Sequence, residues 1–410
     1  MTTNRRKRIV CLMLIIWSAI VYTVESNAQQ VLLKISNMSD HQRKEVIEIE
    51  LMTVCQNLGI DRSSPIVVKN ILGQEMTYQK SHDDKLLLEV SLQPKGDVTY
   101  IVSKGEPSKF KSYVFGRIYP ERLDDLTWEN DRGIYRIYGP ALQRKGEKSF
   151  GTDVWIKNTP ELLAEERYRY HMWGWHQGDL LKRAGQTQEA EKLFLNTSFH
   201  LDHGNGMDCH SVGASLGCSA PALLKDGQLI FPYCFKECKI LDNGPLRFSA
   251  ELIYGTTTEG ITEHRLITLD KGSHFNRMTV WYDGISKPTS FATGVVLHSS
   301  DHLILDKDYV LYADPTDNPN VHQSQIYVGT LFPDGVDETI MLKGDHNHGV
   351  GIVHQYNGKP YTYYFGSGWS SYDVHNLAHW RLLADDYLYC LRYQQDIQVC
   401  ILNEQKKDIQ

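Results

Sequence analysis

The chain of 410 residues is 41% hydrophobic and 23% charged, a balance typical of globular proteins that excludes collagen-like, coiled-coil and wholly disordered chains. Its 43 basic residues stand against 50 acidic ones, and the formal net charge is −7. Because no basic block follows the first ten residues, DNA and RNA are excluded as partners.

The first 28 residues have the three parts of a secretory signal peptide. A basic stretch at 5–8 precedes an apolar run at 9–24, and small residues for cleavage follow at 26–28. The apolar run of 16 residues is shorter than the ~20 that span a bilayer, which disfavours a retained anchor. We predict a periplasmic or secreted protein without a membrane partner after cleavage, in which the seven later cysteines form up to three disulfides.

Residues 29–110 are predicted to form an N-terminal β-strand region. Short segments of alternating polarity, separated by polar turns such as Pro94-Lys95-Gly96-Asp97, are typical of strands. The predicted strands lie at 31–35, 45–52, 66–68, 85–92 and 98–102. A stretch with several charges and prolines at 105–125 links this region to the remainder.

Two helices are predicted after this linker. Thr159-Pro160-Glu161 places an N-cap, a first-turn proline and an early carboxylate in order, which indicates a helix over 160–170. A second helix is predicted over 179–195 despite Gly185.

From residue 229 onward the pattern is strongly β. Apolar residues at 246, 248, 250, 252 and 254 alternate with more polar ones, and further strands are predicted over 261–269, 276–282 and 291–297. This pattern indicates consecutive antiparallel strands with one dry and one wetter face. Because helices are few, residues 120–408 are predicted to form a mainly β catalytic domain, a large antiparallel β-sandwich with a few helices.

Common catalytic signatures are absent from the sequence. It contains no P-loop, no dinucleotide fingerprint after a strand, no H-E-x-x-H and no G-x-S-x-G elbow. These absences disfavour phosphoryl transfer, hydride transfer and the common hydrolase elbows. We predict no cofactor and no bound metal.

The densest polar cluster of the sequence lies at 199–210. It contains His200, His203 and His210 together with Asp202 and Asp208, and its two glycines let the backbone turn tightly. Such a loop can supply a general acid or base. Two alternatives stay open: a hydrogen-bonded surface loop whose side chains cap turns, and a metal site with irregular ligand spacing.

A second cluster combines a strand with charged residues. Alternation over 134–138 directs Arg136 to one face of the strand and Tyr135 to the other, and Asp153 and Lys157 follow. A strand arginine that faces a groove can clamp a carboxylate with two hydrogen bonds, although it more often pairs with a structural acid.

Aromatic side chains gather in two stretches whose rings suit stacking on sugars as well as core packing. The first stretch contains Tyr170, His171, Trp173, Trp175 and His176, and the second contains Tyr363, Tyr364, Trp369 and Tyr372. His264 and His298, within or next to predicted strands, complete the candidates.

Several distinct short motifs follow the predicted signal peptide. They are YRIYGPAL at 135–142, GTDVWIK at 151–157, DHG at 202–204 with MD at 207–208, VG at 212–213 with LGC at 216–218, GPLR at 244–247 and TGVV at 293–296. With these motifs the chain resembles an uncharacterised secreted bacterial family, a "domain of unknown function" encountered in polysaccharide-utilisation gene clusters. The resemblance covers essentially all of the mature chain.

The resemblance implies a fold and an activity. The pattern from 244 to 282 is similar to β-supersandwiches of the galactose-mutarotase type, and the family is associated with an ulvan oligosaccharide dehydratase. The implied reaction removes water from a uronic acid at the non-reducing end of an acidic oligosaccharide and leaves a 4,5-unsaturated uronate. It is a carbon–oxygen lyase reaction.

Such a dehydration needs a cation to neutralise the uronate carboxylate, a base for the C5 proton and an acid for the leaving 4-hydroxyl. Arg136 or Lys157 is predicted to supply the cation. His203 or His200 is predicted to transfer protons, with His203 preferred because it precedes Gly204. The remaining assignments are Asp208 and Tyr135 as catalytic residues and His264, Arg247 and Trp369 as substrate contacts.

Three other functions stay open. A polysaccharide lyase uses the same chemistry but releases a sugar in place of water. A glycoside hydrolase would use Asp153 and Asp208 as paired carboxylates. A non-catalytic glycan-binding protein would grip sugars with its aromatic rings and need no base.

Overall fold

The computed structural model describes residues 29–232, 234–315 and 324–402. The signal peptide predicted at 1–28 lies outside these residues. Within them, no helix combines the length and apolar character that a membrane crossing needs. Six cysteines carry free thiols and form none of the predicted disulfides: Cys55, Cys218, Cys234, Cys238, Cys390 and Cys400.

The N-terminal region consists of two small antiparallel sheets and one helix, and its alternating residues face a shared core. Its elements are β1 (Gln30–Ser36), β2 (Arg43–Glu50), α1 (Leu51–Leu58), β3 (Ile66–Asn70), β4 (Tyr78–Lys80), β5 (Lys85–Leu92) and β6 (Asp97–Lys104). One sheet has the order β1-β6-β3 and the other β2-β5-β4.

A four-stranded antiparallel sheet and a helical hairpin follow. The elements are β7 (Phe115–Tyr119), a 3-10 helix (Pro120–Arg122), β8 (Asp125–Glu129), β9 (Ile134–Ile137), α2 (Pro140–Arg144), β10 (Thr152–Trp155), α3 (Ala164–Arg183) and α4 (Thr187–Thr197). Every residue of β8, β9 and β10 is buried, because both faces of this sheet are covered.

The helical hairpin differs from the prediction in its boundaries. Helix α3 begins at Ala164 and runs without a break to Arg183, and Gly185 at φ 79° separates it from α4. The sequence analysis predicted a break between two helices at about 170–178. The structure has none, and Gly174 and Gly178 are helical residues of α3. A Cβ atom at either glycine would overlap Thr197 or Phe194 of α4, so these positions allow the close approach of the two helices.

Two antiparallel sheets build the sandwich. Its strands are β11 (Cys218–Lys225), β12 (Gln228–Ile230), β13 (Phe235–Asn243), β14 (Arg247–Tyr254), β15 (Thr262–Asp270), β16 (Phe275–Asp283), β17 (Thr289–Leu297), β18 (Leu303–Asp306), β19 (Tyr309–Asp314), β20 (Ile326–Leu331), β21 (Glu338–Leu342), β22 (Asn347–Tyr356) and β23 (Tyr361–Trp369). Helix α5 (Leu377–Arg392) and a last strand, β24 (Asp396–Ile401), follow them in the chain. The five-stranded sheet has the order β12-β11-β17-β22-β21, and the eight-stranded sheet β13-β14-β15-β16-β23-β20-β19-β18.

The predicted run of antiparallel strands is confirmed for β13 to β16, which pair in sequence order. Strand β17 departs from this order and pairs with β11 and β22 in the other sheet. A large core joins both sheets, with Phe291 of β17 packed in one cluster with Phe248 and Met278 of the facing sheet.

The last strand of the chain returns to the N-terminal region. Strand β24 pairs antiparallel with β1, so the edge of the first sheet is built from both ends of the described chain. The prediction placed this segment in the sandwich. Its pairing partner lies more than three hundred residues away, and local periodicity carries no information about such a contact.

Arg247 connects the N-terminal region to the sandwich. Its guanidinium donates to both carboxylate oxygens of Asp270, at 2.6 and 2.8 Å, and to Glu48 of β2 at 2.6 Å. The Gln79 side chain accepts hydrogen bonds from the backbone N–H groups of Leu246 and Arg247. The guanidinium is therefore committed to holding two parts of the protein together.

We expect Arg247→Met to lower the free energy of unfolding by about 3 kcal/mol, because removing one partner of a buried ion pair leaves uncompensated charge. Urea unfolding followed by circular dichroism measures the change. Arg277→Met is the matched control: Arg277 reaches the same Glu48 at 3.4 Å, but its side chain is 33% exposed. The control substitution should lower the free energy of unfolding by less than about 1 kcal/mol. Equal losses in both variants would contradict this role for Arg247.

Candidate active site

The most concentrated group of buried charges lies where β9 and β10 meet the loop that follows α4. Register places Arg136 of β9 directly opposite Asp153 of β10, and Asp208 of the loop bridges to Trp155. One guanidinium nitrogen, Nη2 of Arg136, donates to Asp208 Oδ2 at 2.9 Å and also to Asp153 Oδ2. Two buried carboxylates therefore share one cation.

The loop reaches this position by running along the edge of β10. Ile156 and Met207 exchange two backbone hydrogen bonds, of 2.9 and 3.1 Å, and the Asp208 N–H donates to the Phe199 carbonyl at 2.8 Å. Gly206 has a φ of 97°, and a Cβ atom there would overlap the Ile156 carbonyl. Glycine at 206 thus allows the loop to deliver Asp208 to the cation.

Aromatic rings enclose Arg136. The guanidinium carbon lies 4.6, 5.1 and 5.9 Å from the ring centroids of Tyr138, Trp155 and Phe199. The Arg136 side chain is 3% exposed, and its Nε and Nη1 find no hydrogen-bond partner among the described residues. This enclosure favours positioning of the two aspartates over the predicted direct clamp on a substrate carboxylate.

The two aspartates that share Arg136 differ in their pKa values. Burial works against ionisation of both, but for Asp153 the charges of Arg136 and His210 outweigh burial and lower the pKa. For Asp208, burial and the neighbouring charge of Asp153 raise the pKa to about 7, against the pull of Arg136. Asp208 therefore gains and loses its proton near neutral pH, as acid–base residues do.

His200 lies at the exposed end of the cluster. Its Nδ1 is 3.0 Å from the Asp208 carbonyl oxygen and 3.4 Å from Asp208 Oδ2, and its side chain is 52% exposed. Because a carbonyl oxygen can only accept, Nδ1 carries the proton and Nε2 carries the lone pair. Burial chiefly lowers the pKa of His200, and the charge of Arg136 contributes in the same direction. The ring is thus a neutral imidazole with a basic nitrogen free to meet a ligand.

Two further histidines, His210 and His298, extend the cluster into the sandwich. His210 places its two ring nitrogens 3.9 Å from Asp153 Oδ1 and 3.7 Å from Asp314 Oδ2. His298 Nδ1 lies 2.8 Å from Asp314 Oδ2. Burial opposes charge on His210, but Asp153 and Asp314 outweigh burial and raise its pKa. Histidines and aspartates thus follow one another from His200 through Asp208, Asp153, His210 and Asp314 to His298.

Arg122 is a candidate that the sequence analysis did not name. It ends the 3-10 helix and is half-buried, and its buried Nε has no hydrogen-bond partner among the described residues. Burial chiefly lowers the pKa of His200, and the charge of Arg122 contributes in the same direction, but less than the charge of Arg136 does. Burial and the charge of Asp153 raise the pKa of Asp208, and Arg122 opposes this rise more weakly than Arg136 does. The sequence offers no signal for it beyond a charge next to Pro120, inside what was predicted to be a linker.

His203, the preferred proton-transfer residue of the sequence analysis, lies apart from this cluster. Its ring is exposed, and its Nε2 is 2.9 Å from the Ser198 carbonyl. The carboxylate of Asp202 accepts hydrogen bonds from the backbone of Gly204 and Gly206. This part of the loop therefore matches the alternative of a turn capped by polar side chains.

Tyr135 and Lys157 are not brought to the cluster as free groups. Tyr135 is fully buried in the sandwich core and donates to the His274 carbonyl at 3.1 Å. Lys157 is 1% exposed, and its ammonium donates to Glu129 and to the carbonyls of Asn130 and Glu161. All three donors of Lys157 are used, so it cannot neutralise a uronate as predicted without losing structural bonds.

The predicted substrate contacts His264, Arg247 and Trp369 lie in three other places. His264 stacks on Trp281 at 4.9 Å and pairs with Asp283. Trp369 is 4% exposed and belongs to the sandwich core. Arg247 lines a cleft of ≈560 Å³ between the N-terminal region, the sandwich and α5. In that cleft Arg247 is paired with Glu48 and Asp270, which makes the cleft a weaker candidate than the Arg136 cluster.

A metal is not favoured by the placement of the predicted ligands. The alternative of a metal site joined His200 and His203 with Asp208 or His210. Across the described ranges, no group of three or more histidine, cysteine, aspartate or glutamate side chains has an arrangement that could hold a metal ion. The donors of the cluster are instead committed to Arg136 and to one another.

Known proteins resemble this chain in sequence or in structure. The chain is 25% identical over 312 residues to "Uncharacterized protein P7" of Formosa agariphila, which covers 70% of this chain and 73% of that protein. Among solved structures, a protein in the Glycosyl Hydrolase Family 38 from Enterococcus faecalis has a TM-score of 0.52 at 10% identity, over 92% of this chain and 48% of that one. An alpha-mannosidase from Enterococcus faecalis V583 has a TM-score of 0.49 at 10% identity, over 90% and 46%.

This chain spans just under half the length of these two solved proteins. At 10% identity the likeness to the Glycosyl Hydrolase Family 38 protein concerns the fold alone, and it confirms the predicted large antiparallel β-sandwich. A family model described as "Domain of unknown function (DUF4861)" matches residues 35–392. Because this match covers most of the chain, the protein belongs to the DUF4861 family.

Proposed function

We propose that the protein is a carbohydrate-active enzyme that eliminates water from a uronic acid at the non-reducing end of an acidic oligosaccharide. One observation carries the proposal: His200 presents a basic Nε2 outward while the titrating Asp208 lies behind it. In this proposal the site is completed by Arg122, a cation without an ion-pair partner among the described residues. The sandwich shared with a Glycosyl Hydrolase Family 38 protein supports a sugar substrate.

The reaction needs few groups, and the cluster supplies them. Arg122 binds the uronate carboxylate and makes the C5 proton more acidic. Nε2 of His200 takes that proton, the C5–H electron pair becomes the C4–C5 double bond, and the C4–O bond breaks with its electrons on oxygen. The imidazolium of His200 then returns the proton to the leaving oxygen, which departs as water. Ionised Asp208 stabilises the imidazolium in between, as the acid of a catalytic triad does.

Hydrolysis by paired carboxylates fits this geometry poorly. Glycosidases place two carboxyl groups on opposite sides of the scissile bond. Here Asp153 and Asp208 bind the same nitrogen of Arg136, and their side chains are 0% and 3% exposed. A sugar has no room between them. A polysaccharide lyase would use the same residues on a substrate whose O4 carries another sugar.

The experiment that tests this proposal incubates the purified protein with a panel of uronate oligosaccharides and follows mass and ultraviolet absorbance. We expect loss of one water together with the absorbance of a conjugated double bond. Cleavage with that absorbance would assign a polysaccharide lyase. Cleavage without it would assign a hydrolase, and tight binding without any product would assign a binding protein.

The proposed cell compartment rests on the signal peptide predicted at residues 1–28. The basic and apolar segments predicted at 1–28 lie outside the described residues, and we place the enzyme in the periplasm or outside the cell on the strength of that sequence pattern.

We expect Arg122→Gln to raise KM for uronate oligosaccharides by about 10- to 100-fold, since a charge-assisted hydrogen bond to a carboxylate contributes roughly 1.5–3 kcal/mol. Steady-state kinetics measures the change. A methyl-ester substrate, which lacks the negative charge, should be affected far less.

The matched control for this prediction is Arg144→Gln. Arg144 is an exposed arginine of α2 that already pairs with Asp124 at 3.3 Å. Its loss should leave KM unchanged. If both variants raise KM equally, a general effect of surface charge would explain the result and Arg122 would have no specific contact with the carboxylate.

A further inference from the structure

Helix α3 carries three large aromatic side chains that are exposed: Tyr170, Trp173 and Trp175, at 46%, 48% and 61%. Exposed tryptophans on a helix that already buries its packing face need an explanation, because burial of such rings is strongly favourable. The three do not form one surface. Successive helical residues are turned by about 100°, so 175 lies on the same face as the buried residues Ala164, Tyr168 and His171, whereas 170 and 173 lie outside that face.

Trp175 lies on the side that leads to the candidate active site. Its ring is 6.0 Å from the ring of His171, which in turn is 6.1 Å from the ring of His200 and 4.3 Å from Phe199. Trp175 is therefore separated from the proposed base by a single ring. Tyr170 and Trp173 stack on each other at 5.7 Å and have no such connection.

His171 keeps this surface neutral. Burial lowers the pKa of His171 to about 4, so the ring carries no charge at working pH. It is 8% exposed, and its Nδ1 lacks a hydrogen-bond partner among the residues that the structure describes. The buried ring of His171 thus places an uncharged aromatic group between the exposed rings of His200 and Trp175. These features suit the apolar face of a sugar ring better than a charged peptide or a phosphate.

The helix that carries Trp175 is held rigidly against the site. The Tyr168 hydroxyl forms a hydrogen bond with Thr127 of β8 at 2.8 Å. The Arg167 guanidinium donates to the carbonyl of Ile156, next to β10, and to the carbonyl of Asn205 in the loop that follows α4. A rigid platform loses little conformational entropy when a ligand stacks on it.

We propose that Trp175 is a stacking platform for the sugar units of the oligosaccharide beyond the uronate that reacts at His200. The proposal rests on the function proposed above and names the part of the substrate that determines chain-length preference. Trp175 touches no reacting atom. It binds the ground state and the transition state equally, so its loss raises KM and leaves kcat unchanged.

The test compares Trp175→Ala with Trp173→Ala, an exposed tryptophan of the same helix on the other side. For longer oligosaccharides, Trp175→Ala should raise KM about 10-fold, the equivalent of one stacking contact. For a disaccharide, KM should stay at the wild-type value. Trp173→Ala should leave KM unchanged for both the longer oligosaccharides and the disaccharide. Trp175→Phe should keep most of the wild-type affinity because phenylalanine also presents a ring.

Two results would overturn the platform. One is an equal effect of both alanine variants, and the other is an equal loss for the disaccharide and the longer substrates. Isothermal titration calorimetry with the same oligosaccharides separates this proposal from the catalytic one. If no product forms but binding weakens in Trp175→Ala alone, the platform stands and the elimination fails. If the wild-type protein binds no oligosaccharide, or binds phospholipid vesicles through Trp175 instead, the platform is refuted.

Discussion

His200→Ala should lower kcat for uronate elimination by ~10²–10⁴-fold, the usual contribution of a single acid–base group. The variant loses the nitrogen that takes the C5 proton. Folding should be preserved, because the side chain is 52% exposed and its one close hydrogen bond, to the Asp208 carbonyl, is at the rim of the cluster. Steady-state kinetics measures kcat, and circular dichroism with a thermal melt verifies the fold.

His203→Ala is the matched control, three residues along the same loop. The His203 ring is exposed and bonds the Ser198 carbonyl, so its loss should leave kcat within about 2-fold of the wild type. His200→Gln distinguishes proton transfer from hydrogen bonding, since an amide keeps donors and acceptors but cannot cycle a proton. Near-normal turnover in His200→Gln would transfer the base to another residue. A large loss in His203→Ala would restore the assignment that the sequence favoured.

Local patterns of the sequence predicted the strands that have one buried and one open face. Strand β14 alternates in polarity, and the structure confirms that β14, β15 and β16 pair in order. Strand β17 reads as a nearly continuous apolar run because both of its faces are covered, and its last seven residues are all buried. Such a run predicts burial but does not specify which sheet the strand joins.

The site could be predicted only where its residues are near in sequence. His200 and Asp208 belong to one polar loop, and their closeness follows from the turn between them. Asp314 and His298 reach the cluster from β19 and the end of β17, through sheet pairings that span many residues. Periodicity within a window contains no signal for such contacts.

The two cations Lys157 and Arg122 show most clearly what the sequence alone could not predict. Lys157 and Arg122 have the same charge, and the sequence analysis proposed Arg136 or Lys157 as the cation without considering Arg122. The structure buries Lys157 against Glu129, 28 residues earlier, and leaves Arg122 without an ion-pair partner among the described residues. Whether a cation is free depends on which acid the fold brings to it.

The second large effect should come from Asp208→Asn, with kcat for elimination reduced by ~10²–10³-fold, because an amide cannot stabilise the imidazolium that forms on His200. The pH dependence gives the more specific result. Burial and the charge of Asp153 raise the pKa of Asp208 to about 7, so the ionised form that the mechanism needs accumulates as the pH rises through that value. In the wild type, kcat/KM should rise with pH to a plateau above about 7, and in Asp208→Asn this inflection should disappear.

Stability should change in the opposite sense to activity, which separates the loss of a catalytic group from misfolding. The folded-state pKa of Asp208 lies above the unfolded value of 3.8, so its favourable contribution is present at low pH and is lost as the pH rises towards 7. Above pH 7 the wild type keeps a buried charge that Asp208→Asn removes, while Arg136 keeps Asp153 as its partner. Thermal melts of Asp208→Asn should therefore match or exceed those of the wild type at alkaline pH. A variant that melts lower at every pH and retains the inflection near 7 would show that Asp208 is a structural acid and that another group titrates in the reaction.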